Sequence, residues 1–293
     1  FYNPDTLALN PDLYAVTSTG STAKDEWVEF VCPSAEGYVE KRAEEIVSLV
    51  QNQDPDGISL DFIRHFVFWE KVYPGRDPKT LPVTCFDDRC VRAFQHDTGI
   101  TLPDYLTNTE QIASWILENE EAAWTEWSCR VIIDAVALIV TRVKEVKPEI
   151  LVTLHLVPWL EKEFDGARLR VAAQDIRALS QYADFVSPMC YHHMVKQNPE
   201  WIHRIVKEFS AETNTPVLPS IQVGKAYLDQ ELDLREYEAA LKQSLRPPSG
   251  GVVFWNWKSL AADEGKFVET KVRRQKTKDK IQNHGNAERG GKQ

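Results

Sequence analysis

The sequence predicts an α/β fold of the (β/α)8 TIM-barrel type, and three observations predict it. Short β-branched apolar runs alternate with amphipathic segments of helical length. From the second run onward the starts fall at 150, 183, 216 and 250, a period that suits one strand, one loop and one helix per unit. Polar and aromatic residues gather at the C-terminal end of every run, as they do where a closed barrel builds its site, and not at one crevice between two strands. No glycine-rich phosphate loop follows any run, which weighs against an open nucleotide-binding sheet.

The elements follow in order. "GISLD" (57–61), "ILVTLHLV" (150–157), "ADFVSPMCY" (183–191), "PVLPSIQV" (216–223) and "GGVVFWNW" (250–257) read as buried parallel strands. The helices between them are "EGYVEKRAEEIVSLVQ", then "EEAAWTEWSCRVIIDAVALIVTRVKEV", "AAQDIRALSQY", "PEWIHRIVKEFSAE" and "LREYEAALKQSL". "WVEFV" (27–31) is a candidate sixth strand. Eight strands close such a barrel and five or six are recognisable, so the expectation is a barrel incomplete at its N-terminus, with residues 1–35 as a loop-rich entry. Residues 62–109 form a long insertion after "GISLD", rich in Pro, Asp and aromatics, at the end of the barrel where loops build substrate sites.

Composition narrows the class. The 293 residues carry a net charge of −10, yet residues 271–293 hold eight Lys/Arg against two Asp/Glu, so the body is more acidic than the whole. An acidic body argues against nucleic acid as a partner. The basic stretch has almost no apolar residues to offset its ordering entropy and is expected to be a disordered tail after a domain spanning 1–270. The longest apolar run, "VIIDAVALIV" (131–140), is interrupted by Asp134 and falls short of the roughly 20 residues that span a bilayer. Compartment and oligomeric state are not legible. Five cysteines are too scattered for a disulfide framework. Only Cys85 and Cys90, in "CFDDRC", sit close enough for a local bridge or half a metal site, and with no second pair in sequence they read as incidental thiols, with no cofactor or metal expected.

Strand alternation nominates the site. In "DGISLDFIRHFVFWE", Ile58 and Leu60 face the helices while Gly57, Ser59 and Asp61 face inward, and Arg64, His65, Trp69 and Glu70 follow at once. Thr153, His155 and Val157 point inward from the second strand, Ser187, Met189 and Tyr191 from the third, and Leu218, Ser220 and Gln222 from the fourth. In the last strand either Trp255 or Asn256 faces in. Aromatic faces with hydrogen-bonding side chains suit a sugar ring, so the expected partner is carbohydrate, contacted by Arg64, His65, His155, Trp159, Tyr191, His192, Gln222, Trp255 and Asn256, with Arg64 chiefly orienting Asp61. Against this stand plainer readings: Asp61 as the salt-bridge partner of Arg64, His155 as a satisfied interior histidine, and a tryptophan of the last strand as core.

"DGISLDFIR", the "CFxxxC" segment, "QDIRALSQYADFVSPMCYHHM" and the closing "GGVVFWNW" together resemble a largely uncharacterised group of glycoside-hydrolase-like TIM barrels, over about residues 27–260. The chain is more distantly similar in motif to chitinase-type barrels, whose D-G-x-D-x-D-x-E is echoed by "DGISLDFI", although Ser59 replaces an Asp and Ile63 stands where the acid Glu belongs. Alpha-amylase-type barrels are similar through Gly57, Asp61, Arg64 and His65. The resemblance implies a functional carboxylate at Asp61. Glycoside hydrolysis ordinarily needs a second, and "HLVPWLEKEF" offers Glu161 and Glu163, of which Glu161 is closer to the strand end; both also read as solvated loop charges. The expectation is therefore two-carboxylate cleavage of an oligo- or polysaccharide by Asp61 and Glu161. The competing readings are a non-catalytic carbohydrate-binding barrel and a metal-dependent polysaccharide deacetylase. "TCFDDRC" resembles a deacetylase segment, but no downstream H-x-x-x-H accompanies it.

Overall fold

A computed structural model of the protein describes residues 1–227 and 230–273. Strands β1 (Lys24–Asp25) and β2 (Val28–Glu29) form an antiparallel pair, and β3 (Gly57–Leu60), β4 (Leu151–Leu156) and β5 (Phe185–Pro188) form a parallel sheet. Strands β6 (Ser220–Gln222) and β7 (Val253–Trp255) are also parallel, and the bridges Val186 to Val217 and Met189 to Ser220 carry the parallel array from β5 to β6. Five parallel strands thus lie side by side in chain order, at the five places the apolar runs marked. Each is preceded by a helix, the main ones being Tyr38–Gln53, Glu121–Val146, Glu200–Glu212 and Leu234–Ser244. Among the described residues the wall does not close, so the fold is a partial barrel and not the closed eight-stranded one.

"WVEFV" is not a barrel strand. Val28 and Glu29 pair antiparallel with β1, while Phe30 and Val31 bridge antiparallel to Tyr2 and Tyr14. Its alternation comes from burying Val28, Phe30 and Val31 beneath the N-terminal segment, a pattern that a hairpin and a barrel strand share. Of the expected tail from residue 271, residues 271–273 continue the helix that runs through 264–270, and the rest, from 274 onward, lies outside the described residues.

The predicted alternation is seen on β3 and β4, whereas β5 is buried at successive positions from Val186 to Pro188. Val152, Leu154 and Leu156 are fully buried on the helix side of β4, whereas Thr153 and His155 are partly exposed on the other. Gly57 and Ser59 are exposed on β3 and Leu60 is buried. A side chain at 57 would place its Cβ 3.0 Å from the Leu151 carbonyl oxygen, so glycine is what lets β3 approach β4 so closely. Helix Glu121–Val146 buries Trp124, Ser128, Ile132, Val136, Ile139 and Val143 at three- and four-residue spacing and packs on helix Tyr38–Gln53. Pro148, just past its C-cap Lys147, ends it.

The 62–109 insertion returns over the strand ends. Phe62, at φ +53°, takes the left-handed conformation that turns the chain back, a local cost of about 1–3 kcal/mol for a residue with a side chain. Buried Gln174 then ties the turn to the wall: its Oε1 accepts from Val157 N–H at 2.8 Å and its Nε2 donates to the Ile63 carbonyl at 3.1 Å. The His65 N–H donates to the Ala172 carbonyl at 3.0 Å. A groove of about 460 Å³, lined by Ile46, Leu49, Ser59, Asp61 and Ile139 among others, runs along the edge of β3 that β4 does not occupy.

Candidate active site at the strand ends

Leu60 pairs with Leu154, so Asp61, one residue on, stands beside His155, which in turn pairs with Ser187. Three neighbouring strands therefore present a carboxylate, an imidazole and a hydroxyl in one row. Asp61 is exposed, and its Oδ1 accepts the Phe62 N–H at 2.6 Å. The returning insertion lays Arg64 and Glu70 against this row. Arg64 is 1% exposed, with its guanidinium carbon 4.9 Å from the ring centres of both Phe30 and Phe62. Those rings hold the cation by their faces and leave its Nε and Nη1 without a hydrogen-bond partner.

Glu70 is buried and its Oε2 also lacks a partner. Burial pushes its carboxyl pKa up, the nearby Arg64 charge pulls it partly back, and Asp61 adds a smaller upward push. Burial lowers the His155 pKa against the opposing pull of Asp61, and neither His155 Nδ1 nor Ser187 Oγ has a partner. Buried polar atoms are nearly always paired, because an unpaired one forfeits about 1–3 kcal/mol of hydration. Here Arg64, Glu70 and His155 each hold such an atom and each lies within electrostatic reach of one exposed carboxylate, Asp61.

An aromatic platform adjoins them. The Tyr191 ring lies 5.6 Å from Trp69 and 5.4 Å from Trp255, tilted 45° and 33°, and its hydroxyl is 3.4 Å from Ser220 Oγ. Burial raises the Tyr191 pKa, with Asp61 and Glu70 adding to it, which places both carboxyls within electrostatic reach of this ring. Trp255 is 41% exposed, so its free face is open to a ligand. Of the two candidates in the last strand, Trp255 faces the row. Asn256 instead caps helix Trp257–Ala262, its Oδ1 accepting the Ser259 N–H at 3.0 Å.

The other nominated residues lie elsewhere. Glu161 is exposed on a turn whose backbone N–H is held by Glu208 of helix Glu200–Glu212. Glu163 Oε2 accepts the Leu160 N–H at 3.0 Å on the same turn. Trp159 is buried against Phe164, and its carbonyl accepts from Arg168. The Gln222 amide is engaged by backbone, accepting from Met194 N–H at 2.9 Å and donating to the Gly224 carbonyl at 3.1 Å. His65 is buried beside Thr84, its Nδ1 3.4 Å from the hydroxyl. His192 turns to helix Leu234–Ser244, where its Nε2 lies 3.2 Å from Glu236 Oε1. Glu70 and Gln174 carried no periodic pattern, since Glu70 lies in a single 3-10 turn, Trp69–Lys71, and Gln174 in irregular chain. The one signal for Glu70 was its place in the polar cluster after Asp61.

Burial lowers the His192 pKa from 6.5 to about 4, outweighing the upward pull of Glu236. A depressed folded-state value means the unfolded chain takes up the proton first, so the stability held above pH 6.5 is lost as pH falls toward 4. Urea midpoints measured across that window should fall with pH, and His192→Gln should flatten the slope.

No family model and no curated protein matches the sequence. Solved structures do. The glycoside hydrolase domain of PgaB (BpsB) from Bordetella bronchiseptica superposes with a TM-score of 0.64 at 13% identity, covering 87% of this chain and 68% of that one. Beta-galactosidases from the psychrophilic Marinomonas ef1 and from the Antarctic haloarchaeon Halorubrum lacusprofundi superpose at 0.61 and 0.58, with 10% and 13% identity; 87% of this chain is covered in each case, against 42% of theirs. The chain thus has the fold of these glycoside hydrolases and spans about two thirds of the first and two fifths of the others. No described helix is long and apolar enough to cross a membrane.

Proposed function

We propose that the protein is a glycoside hydrolase acting on an oligo- or polysaccharide, with Asp61 and Glu70 as its two carboxyl groups. The observation that carries this reading is the set of unpartnered buried atoms, Arg64 Nε and Nη1, Glu70 Oε2 and His155 Nδ1, gathered about exposed Asp61 beside the Tyr191 and Trp255 rings. A hydroxyl-rich ring with apolar faces satisfies both halves of that surface. The shared fold with glycoside hydrolases supports the same class.

Glycoside cleavage assigns unlike work to two carboxyls, and the surroundings here are unlike. Glu70, whose pKa burial raises, keeps its proton and donates it to the departing glycosidic oxygen. Asp61, open to solvent, attacks the anomeric carbon or activates the water that does. Arg64 lies within electrostatic reach of both carboxyls and limits how far burial shifts Glu70. Glu161, exposed on its turn, is replaced by Glu70 in this reading.

The test is release of reducing ends from a panel of α- and β-linked glycans. The wild type should cleave at least one substrate and Asp61→Asn should abolish turnover with an unchanged circular dichroism spectrum. Glycan binding without cleavage, equal in both proteins, would overturn the assignment in favour of a binding module. Trp255→Ala should raise KM by about 2- to 10-fold, since stacking on one aromatic face contributes about 0.5–1.5 kcal/mol, while kcat changes little.

A further inference from the structure

The three cysteines nearest the insertion are far apart in sequence and together in space. Cys32 follows β2, Cys85 lies within the insertion directly after the Thr17 to Thr84 bridge, and Cys90 sits in the first turn of helix Asp88–Thr98. All three are fully buried free thiols, and Cys32 Sγ lies 3.4 Å from Cys90 Sγ. Asp87 completes the group: the three sulfurs and its carboxylate oxygen all lie within 4.8 Å of one another. We propose that Cys32, Cys85, Asp87 and Cys90 bind a single tetrahedral Zn²⁺ ion that fastens the 62–109 insertion to the N-terminal segment.

The donor set and its spacing fit. A tetrahedral zinc with Zn–S bonds of about 2.3 Å and a Zn–O bond of about 2.0–2.2 Å has ligand-to-ligand edges of about 3.5–3.8 Å, so the Cys32 and Cys90 sulfurs, 3.4 Å apart, need open only slightly while the wider separations, none above 4.8 Å, close on the ion. Cys85, Asp87 and Cys90 form a compact hook within six residues, and Cys32 supplies the fourth ligand from a different part of the chain. Each thiol gives up its proton to solvent on binding, the metal keeps its oxidation state, and the closed site carries a net charge of about −2.

The surroundings answer that charge. Arg89 Nη2 pairs with Asp87 Oδ2 at 2.6 Å, and Asp87 Oδ1 accepts the Cys90 N–H at 2.8 Å as the cap of helix Asp88–Thr98. The Val16 N–H donates to Cys85 Sγ at 3.2 Å, the type of second-shell bond that steadies a metal-bound thiolate. A disulfide accounts for the cluster less well. Its bond is about 2.05 Å, far below the 3.4 Å separation, and pairing two sulfurs would leave the third thiol buried against a carboxylate.

Elemental analysis of protein purified under reducing conditions should find one zinc per chain. Replacement by Co²⁺ should produce thiolate-to-cobalt charge transfer in the near ultraviolet and the strong visible bands of a tetrahedral ion. Cys32→Ser and Asp87→Asn should each lower metal retention on dialysis against a chelator, and chelation should lower the wild-type Tm. The wild-type measurements stand even if a variant fails to fold. Metal-free protein from zinc-supplemented cells with every thiol titrating as free, or a native Cys32–Cys90 disulfide found by peptide mass, would overturn the proposal.

Discussion

Glu70→Gln is expected to lower kcat on the cleaved glycan by about 10²–10⁴-fold, the range that a positioned general acid contributes, with KM nearly unchanged. Gln keeps the shape and the hydrogen-bonding capacity of the side chain and removes only the transferable proton. Because burial raises the Glu70 pKa, the wild-type rate should fall on the alkaline side as Glu70 ionises, and the variant should lose that limb. Stability moves the other way. A carboxyl whose folded pKa is raised contributes stability that is present below its unfolded value and is lost as pH rises through the folded value. Near neutral pH the variant should therefore be at least as resistant to urea as the wild type. Glu161→Gln is the matched control and should retain activity, since that side chain is exposed on a separate turn. The reverse pattern, activity lost in Glu161→Gln and kept in Glu70→Gln, would return the acid role to Glu161.

Glu212→Ala should lower stability by about 3–5 kcal/mol, the usual consequence of leaving a buried charge unpaired, and so lower Tm by roughly 10 °C in a thermal scan. Arg168 is 2% exposed and reaches both Glu212 oxygens through Nη2, at 2.8 and 2.6 Å. Its Nη1 donates to the Trp159 carbonyl at 3.1 Å, and its guanidinium lies 5.3 Å from the Phe209 ring centre. The pair thus locks the loop after β4 to helix Glu200–Glu212. Removing Glu212 strands the cation where water cannot reach it. Replacing both partners by apolar residues of similar volume should recover much of the loss, which a double-mutant cycle would measure.

The five parallel strands were legible in the sequence because each is a β-branched run shielded by helices, and burial of that kind leaves few other readings. "WVEFV" shares the composition but pairs antiparallel, a distinction set by which segment lies beside it and not by its own residues. Asp61 was readable because strand alternation fixes where it points, whereas alternation left Trp255 and Asn256 open until the contact with Tyr191 and the helix cap told them apart. Gln222 obeyed the alternation and still found backbone partners, since loops that arrive from elsewhere capture an amide that a strand presents. Glu70, named only as part of the polar cluster, and Cys32 were not given their roles for a common reason: one sits in a single 3-10 turn and the other in irregular chain, both too short for periodicity to carry a direction. The proximity of Cys32 to Cys85 and Cys90 depends on a fold that brings together segments more than fifty residues apart.

The edge of β3 that borders the groove has a bearing on how the protein behaves in solution. A strand paired on one side only is a template for addition of another strand, and so a route to self-association. β3 runs for four residues, with Pro55 shortly before it and Asp61 directly after it. Proline offers no N–H to extend the ladder, and a carboxylate at the other end repels its own copy. Asp61 therefore disfavours strand addition at the edge of β3. Asp61→Asn would weaken that repulsion while leaving the core untouched, so light scattering of concentrated samples should rise in this variant and stay low in Glu70→Gln.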